Sequence, residues 1–365
     1  MRLAMIIDAQ RLAVEQRLIN RLGVGLMAEG VELVRITPEG LHRETLDEGE
    51  RRIALAQRIE APMRVMPWLR AARIRRLAMA LEAAPPDVLY LVGADTWALG
   101  LDLAAVLDRP ALIDVYSPAI AQAAPKPRTS AHIAGYVAPC EGIAQHAIAR
   151  LGNDLVHMVP MGVSANRRDR SVWGNGERVH SMAVLGSASD VNAYLALFEG
   201  LADVFAHHGS LEVFVELRGA REHEIWRNAE RLNLLGRMSI IGSGAEHRPL
   251  LLRCDLLALP EGRGELRSLM LEAMAGEIPV VAANDPSLEM LRDGDTARII
   301  PNAAGRQWST ALHELLETPE TARALGARAR DLVIARHRSS NQVAGLVALI
   351  ERVGRRSYAF NPSDA

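Results

Sequence analysis

The sequence predicts an α/β protein built from two parallel-sheet domains. Three observations carry that prediction. Short β-branched and leucine-rich runs alternate with stretches whose apolar residues recur at helical spacing, the pattern of a parallel sheet covered on both faces. The alternation breaks at the polar stretch SANRRDRSVWGNGER (164–178), which has no apolar period, and then restarts. A chain of 365 residues is also long for one ordinary domain and suits two.

The first domain opens with LAMIID (3–8), a buried strand rather than a leader peptide, since its apolar run is short and ends at an aspartate. A helix is expected from Val14 to Glu29, then the strand VELVRIT (31–37) after Gly30. DVLYLV (87–92) follows the Pro85-Pro86 breaker, and PALIDVY (110–116) follows a helix ending near Asp108. AGYVAP (134–139) and LVHMVP (155–160) flank a helix from Glu141 to Arg150. The polar stretch reads as the interdomain linker. Beyond it, strands are expected at 180–186, 211–217, 238–242, 255–260 and 278–283, with helices at 192–207, 223–233, 247–253 and 268–275. Three more helices are expected at 306–316, 319–335 and 341–353. The resulting domains are 1–165, 166–340 and a final helix with tail, 341–365.

Composition excludes several classes. Apolar residues make up 49% and charged residues 24% of the chain, enough for two cores. The formal net charge of −2 argues against nucleic acid as the main partner, because phosphate binding needs a basic excess. Lys126 is the only lysine, while arginine is abundant. Cys140 and Cys254 share no metal-ligand spacing and read as buried free thiols in a reducing, cytoplasmic compartment. No stretch approaches the ~20 apolar residues of a membrane span. IIDAQRLAVEQ after the first strand contains no glycine, which disfavours a dinucleotide cofactor there.

The segment PEGRGELRSLMLEAMAGEIPVVA (260–282) carries the most chemistry. After the strand DLLALP, Glu261-Gly262-Arg263-Gly264-Glu265 must be a loop whose glycines let backbone approach a ligand. Ser268 suits an N-cap, Gly276 closes the helix, and Pro279 sits near the start of a buried strand. The helix N-terminus offers N–H groups and partial positive charge to a polar or anionic ligand. Glu272 lies one turn in and Glu265 can reach the same rim, where a carboxylate accepts well from paired sugar hydroxyls. The residues alone leave open a second reading, in which both glutamates are solvated and merely favour the helix dipole.

This segment resembles the donor loop of GT-B glycosyltransferases of the GT4 type, in which two glutamates, the second in L-E-A-M-A, precede a P-V-V-A strand. LEMLRDGDTARIIP, PDVLYLVGADTWALG, APCEGIAQHAIARLGNDLVHMVPMGV and MSIIGSGAEHRPLLLRCDLLALPE resemble further family segments in the same order. The resemblance implies two Rossmann-like domains facing a cleft, with the last helix crossing back to the first domain. It also implies transfer of a sugar from a nucleotide-diphosphate-sugar, with retention of anomeric configuration, to a glycan, lipid or small-molecule acceptor. Glu272 would bind the donor ribose. The loop Gly262 to Ser268, with Gly264, Glu265, Arg263, Arg267 and Leu269, would hold sugar and phosphate oxygens. Gly186 and Ser187 would lie beside the phosphates, and Ile241, Gly242 and Ser243 at the base. Glu265, Tyr116 and Asp95 are the catalytic candidates. The nucleotide-sugar is a co-substrate, and neither cofactor nor metal is implied.

The chain departs from the family pattern at four places. Gly264, not a glutamate, stands eight residues before Glu272. Ser187 replaces the arginine of the phosphate-binding signature, whose lysine is missing. Tyr116 replaces the first-domain histidine, and the glycine pair of the first loop is absent. These losses raise an alternative: a catalytically degenerate GT-B module that binds a nucleotide, glycan or protein partner without turnover. Elsewhere, the segment Arg51 to Arg76 holds eight arginines and one glutamate around Trp68. It reads either as a solvated face or as a basic amphipathic helix that docks on the inner face of a membrane. Asp114 is expected to be buried and paired or to face the cleft. The pair His207-His208 ends a helix, where it complements the dipole rather than binding metal.

Overall fold

The computed structural model describes residues 1–39, 56–64, 67–165, 180–217, 221–242, 247–302 and 304–359. Most of the expected linker, the start of the arginine-rich segment and Ser243 lie outside these residues. Two compact units emerge: Met1–Gly162 with Ser339–Ala365, and Val163–Arg338. Residues 163–165 therefore go with the second unit and 339–340 with the first.

The first unit begins with β1 (Arg2–Ile7), α1 (Ala9–Ala28), β2 (Glu32–Thr37), β3 (Gln57–Glu60), α2 (Pro67–Leu81) and β4 (Val88–Val92). It continues with α3 (Trp97–Leu107), β5 (Ala111–Asp114), α4 (Pro118–Ala123), β6 (Ile133–Ala138), α5 (Glu141–Leu151) and β7 (Val156–Met158). The sheet runs β3-β2-β1-β4-β5-β6-β7, with every pair parallel. Strands β1 and β4 are covered on both faces, and Leu3, Ile6, Val88 and Leu91 are fully inaccessible. Helix α1 starts five residues earlier than its apolar period suggests. Asp8 caps it by accepting the Arg11 N–H at 2.7 Å, and the first two turns then carry Arg11 and Glu15, both buried. Their charge hid the helical face, and the backbone kinks at Glu15.

The second unit holds β8 (His180–Leu185), α6 (Val191–His207), β9 (Leu211–Leu217), α7 (Glu222–Arg231), β10 (Met238–Gly242) and α8 (Arg248–Leu251). β11 (Leu256–Leu259), α9 (Ser268–Ala275), β12 (Val280–Ala283), β13 (Arg298–Ile300), α10 (Gly305–Glu317) and α11 (Pro319–Arg336) follow. Its sheet, β10-β9-β8-β11-β12-β13, is again all parallel. One local expectation is corrected: the N-cap of α9 is Arg267, not Ser268, and no side chain caps it. Gly276 closes the helix as its C-cap, at φ −85°, and Glu277 after it takes the left-handed turn (φ 61°). α12 (Ser339–Ala359) returns to the first unit, where Val343, Leu346, Leu349, Ile350 and Val353 join its core against α1. Both cysteines are buried and unbridged. Among the described residues no helix is long and apolar enough to cross a membrane.

Candidate functional site

In a doubly wound parallel sheet, ligands bind beyond the carboxyl ends of the strands where the strand order reverses. The observed orders put that point between β1 and β4 in the first unit and between β8 and β11 in the second.

In the second unit, β8 runs into the Gly186-Ser187 turn, and Glu261 follows the end of β11 by two residues. The Glu261 carboxylate fills the mouth of α6. It accepts the backbone N–H groups of Ser187, Ser189 (2.9 Å) and Asp190 (2.8 Å), and the hydroxyls of Ser187 (2.9 Å) and Ser189 (3.1 Å). Asp190 caps the same helix, accepting from Asn192 and Ala193 N–H, each at 3.2 Å. Asp190 thus satisfies orphan donors of the helix start, while Glu261 satisfies those of the turn that leads into it. Gly186 has no room for a Cβ, which would strike Glu261 and the Tyr194 hydroxyl.

Around this carboxylate lies a pocket lined by Gly186, Ser187, Arg263, Glu265, Arg267 and Asp285, with Leu185, Leu259, Met270 and Leu288 as its apolar wall. Arg263 stands at its rim, half exposed, 3.8 Å from Asp190 and 4.0 Å from Glu261. Arg267 is buried and forms a two-point ion pair with Glu216 of β9. The loop is tightly tied: Asp285 accepts the N–H of Gly264, which adopts φ +69°, and a Cβ on Gly262 would meet the Asn284 carbonyl at 2.5 Å.

The structure brings together only part of the predicted set. Gly186, Ser187, Arg263, Glu265 and Arg267 line this pocket. Gly264 is buried behind it, and Ser268, Leu269 and Glu272 belong to α9 and are not among its lining residues. The Glu272 carboxylate is about a tenth exposed and pairs with Arg248, whose Nη2 lies 2.9 Å from Oε2 and also donates to Ser268 Oγ at 2.8 Å. Arg248 is itself buried, so it ties the first turn of α9 to α8. Ser243 lies outside the described residues. Sequence reasoning missed Glu261 and Arg248. The signal for Glu261 was available, since a carboxylate ending the strand next to β8 necessarily faces the Gly186-Ser187 turn.

In the first unit, Asp8 ends β1 and accepts the N–H groups of Arg11 (2.7 Å) and Asp95 (3.3 Å). Burial raises its pKa, and those two bonds oppose the rise. Gly93 is required beside it, because a Cβ there would overlap the Asp8 carboxylate. Arg11 is buried, stacks on the Tyr116 ring at 3.8 Å and lies 3.7 Å from Asp114. The Tyr90 hydroxyl donates to Asp114 at 3.3 Å. Burial pushes Asp114 up to about 6 despite Arg11 and Tyr90, and it pushes the Tyr90 phenol well above its ordinary range. Arg11, Tyr90, Asp114 and Gln342 share an otherwise apolar internal pocket among α1, α12 and the sheet. Tyr116 is therefore a buried platform for a guanidinium. Asp95 is partly exposed and pairs with Arg64 at 2.8 Å.

Comparison with known proteins gives a sequence match in the second unit and structural matches over nearly the whole chain. Residues 183–332, within the second unit, match the family model described as glycosyl transferases group 1. No curated protein matches in sequence. Among solved structures, Anabaena Alr3699/HepE in complex with UDP and glucose is similar over 96% of this chain and 99% of its own, with a TM-score of 0.75 and 14% identity. A glycosyltransferase from Rickettsia africae ESF-5 is similar over 96% of this chain and 98% of its own (TM-score 0.74, 14% identity). Sucrose-phosphate synthase (tll1590) from Thermosynechococcus elongatus covers 99% and 100% (TM-score 0.74, 14% identity). The chain has the GT-B fold, with two Rossmann-like parallel-sheet lobes.

Proposed function

Taking the group 1 glycosyl transferase match of the second unit as premise, we propose that this protein transfers a sugar from a nucleotide-diphosphate-sugar to a hydroxyl acceptor with retention of configuration. The acceptor is a glycan, a lipid or a small molecule. The observation that carries the reading is that the matched segment, residues 183–332, contains the whole switch-point pocket between β8 and β11. In this reading the donor diphosphate lies over Gly186-Ser187, and Glu272 takes the ribose hydroxyls in exchange for part of its pairing with Arg248. Arg263 replaces the missing basic pair and neutralises the charge that grows on the diphosphate as the bond to the sugar breaks. The solved Anabaena relative, whose complex holds UDP and glucose, supports a uridine donor as the first to try.

A specific observation favours the second reading, a module that binds without turnover. Glu261 already occupies the amides of the turn leading into α6, Asp190 occupies the first α6 amides, and both carboxylates stand beside Arg263. A thermal-shift series with UDP-, GDP- and ADP-sugars, followed by a donor-hydrolysis assay, separates the readings. A shift with turnover supports the transferase, a shift without turnover supports the binding module, and no shift with any nucleotide overturns both.

The proposal includes contact with the inner face of an anionic membrane through α2. Trp68, Leu69 and Met79 are exposed on this helix beside exposed Arg75 and Arg76, while Ile74, Leu77 and Leu81 anchor its opposite side. Co-sedimentation with vesicles containing anionic lipid tests this.

A further inference from the structure

We infer that the second unit carries a transition-metal site, built from His208, His313 and Glu317, on the side remote from the switch-point pocket. His208 follows the last turn of α6, and His313 and Glu317 are one turn apart on α10. The two helices can approach because Gly200 faces Gly305 and Trp308 with no space for a side chain: a Cβ on Gly200 would lie 2.7 Å from the Gly305 carbonyl and from Trp308 Cβ. This contact brings three ligand atoms together. His208 Nε2 lies 2.9 Å from His313 Nδ1, and Glu317 Oε1 lies 3.8 Å from the first and 3.7 Å from the second. Ligands bound tetrahedrally at Zn–N and Zn–O lengths stand about 3.3 Å apart, so small side-chain adjustments accommodate an ion among these atoms.

The surroundings are those of a metal-binding histidine. His313 Nε2 lies 3.2 Å from Asp203 Oδ2, and that carboxylate oxygen also accepts the Ser309 hydroxyl. A carboxylate has no proton to give, so Nε2 is the protonated nitrogen of His313. Its Nδ1 lone pair is thereby aimed at His208 and Glu317, the carboxylate–histidine–metal arrangement that fixes tautomer and ring orientation. Two imidazoles and one carboxylate with a fourth position for water suit Zn²⁺ or a similar borderline divalent ion. α6 spans 17 residues between Glu261 and this cluster, about 25 Å of helix. The ion would therefore clip α6 to α10 and take no part in sugar chemistry.

The test is titration of the full-length, untagged protein with Zn²⁺ by calorimetry, with Co²⁺ as a visible spectroscopic probe. The inference expects one saturable equivalent and the d–d bands of a four- or five-coordinate Co²⁺ centre. His208→Ala and Glu317→Gln, each checked for native circular dichroism, should abolish the saturable phase. Asp203→Asn should weaken it on the order of 10–100-fold, and His207→Ala should leave it unchanged. Absence of saturable binding in the unmodified protein overturns the inference. So does equal affinity in the His208 and Glu317 variants. So does loss on His207→Ala with retention in Glu317→Gln, which would move the ion to the neighbouring Asp203–His207–His313 group.

Discussion

The two switch points solve one electrostatic problem in different ways. Each ends a strand in a carboxylate that accepts backbone N–H groups at a helix start. In the first unit Asp8 serves its own helix and the turn after β4. In the second, Glu261 reaches from β11 across to the helix after β8. The difference lies in the cations. The first unit buries Arg11 between the Tyr116 ring and Asp114, so its charge is spent inside the protein. The second leaves Arg263 half exposed at the rim, with carboxylates no closer than 3.8 Å. An exposed guanidinium with loose partners can turn to an incoming phosphate, whereas one locked by stacking cannot do so without losing its contacts. The proposed anion site accordingly lies in the second unit.

The harshest way to break this contrast is to disturb the charge beneath the second pocket. Glu216→Leu leaves Arg267 buried without its partner and should cost about 3–5 kcal/mol of stability, measured by denaturant unfolding. The Glu216→Leu, Arg267→Met double variant should recover most of that loss. Next, Arg263→Ala should weaken nucleotide-diphosphate binding by about 1.5–3 kcal/mol, roughly 10–100-fold, with little change in melting temperature. If Arg11→Ala weakens binding in a folded protein and Arg263→Ala does not, the assignment is inverted.

A smaller effect probes the first unit through pH. Asp114 titrates at about 6 when folded, above an unfolded carboxylate near 3.9. Between those values the folded state holds the extra proton, so this group's contribution to stability falls as pH rises from about 4 to 6. The slope is at most about 1.4 kcal/mol per pH unit. Asp114→Asn should lack that component, as stability curves of the two proteins across that window will show. Smallest of all, Trp68→Ala on the exposed face of α2 should change stability by less than about 0.5 kcal/mol. It should nevertheless reduce co-sedimentation with anionic vesicles.

How far the sequence could be read depended on what each segment buries. β1 and β4 are apolar on both faces and stood out as unbroken runs. β3 (QRIE) and β13 (RII) are edge strands with charged residues, and hydrophobic pattern alone gives no sign of them. The short α4 was likewise unread, although Ser117 caps it and Pro118 opens it. At the site, the loop that surrounds the pocket was legible because glycines and carboxylates cluster in it. The pairing inside it was not, because partners such as Glu261 with Ser189, or Glu272 with Arg248, are more than 20 residues apart. Nothing local to Glu261 distinguishes it from Glu265. Only strand order, which puts β11 beside β8, makes it the residue that meets the amides of the turn before α6.

The return of α12 to the first unit has a consequence for biogenesis. Residues 163–338 are contiguous and can complete their fold as soon as they leave the ribosome, since domains form as units during synthesis. The lobe that is made first must wait, because Val343, Leu346 and Ile350 of α12 belong to its core together with Leu22 and Leu26 of α1. Until they arrive, the earlier lobe carries an uncovered greasy flank.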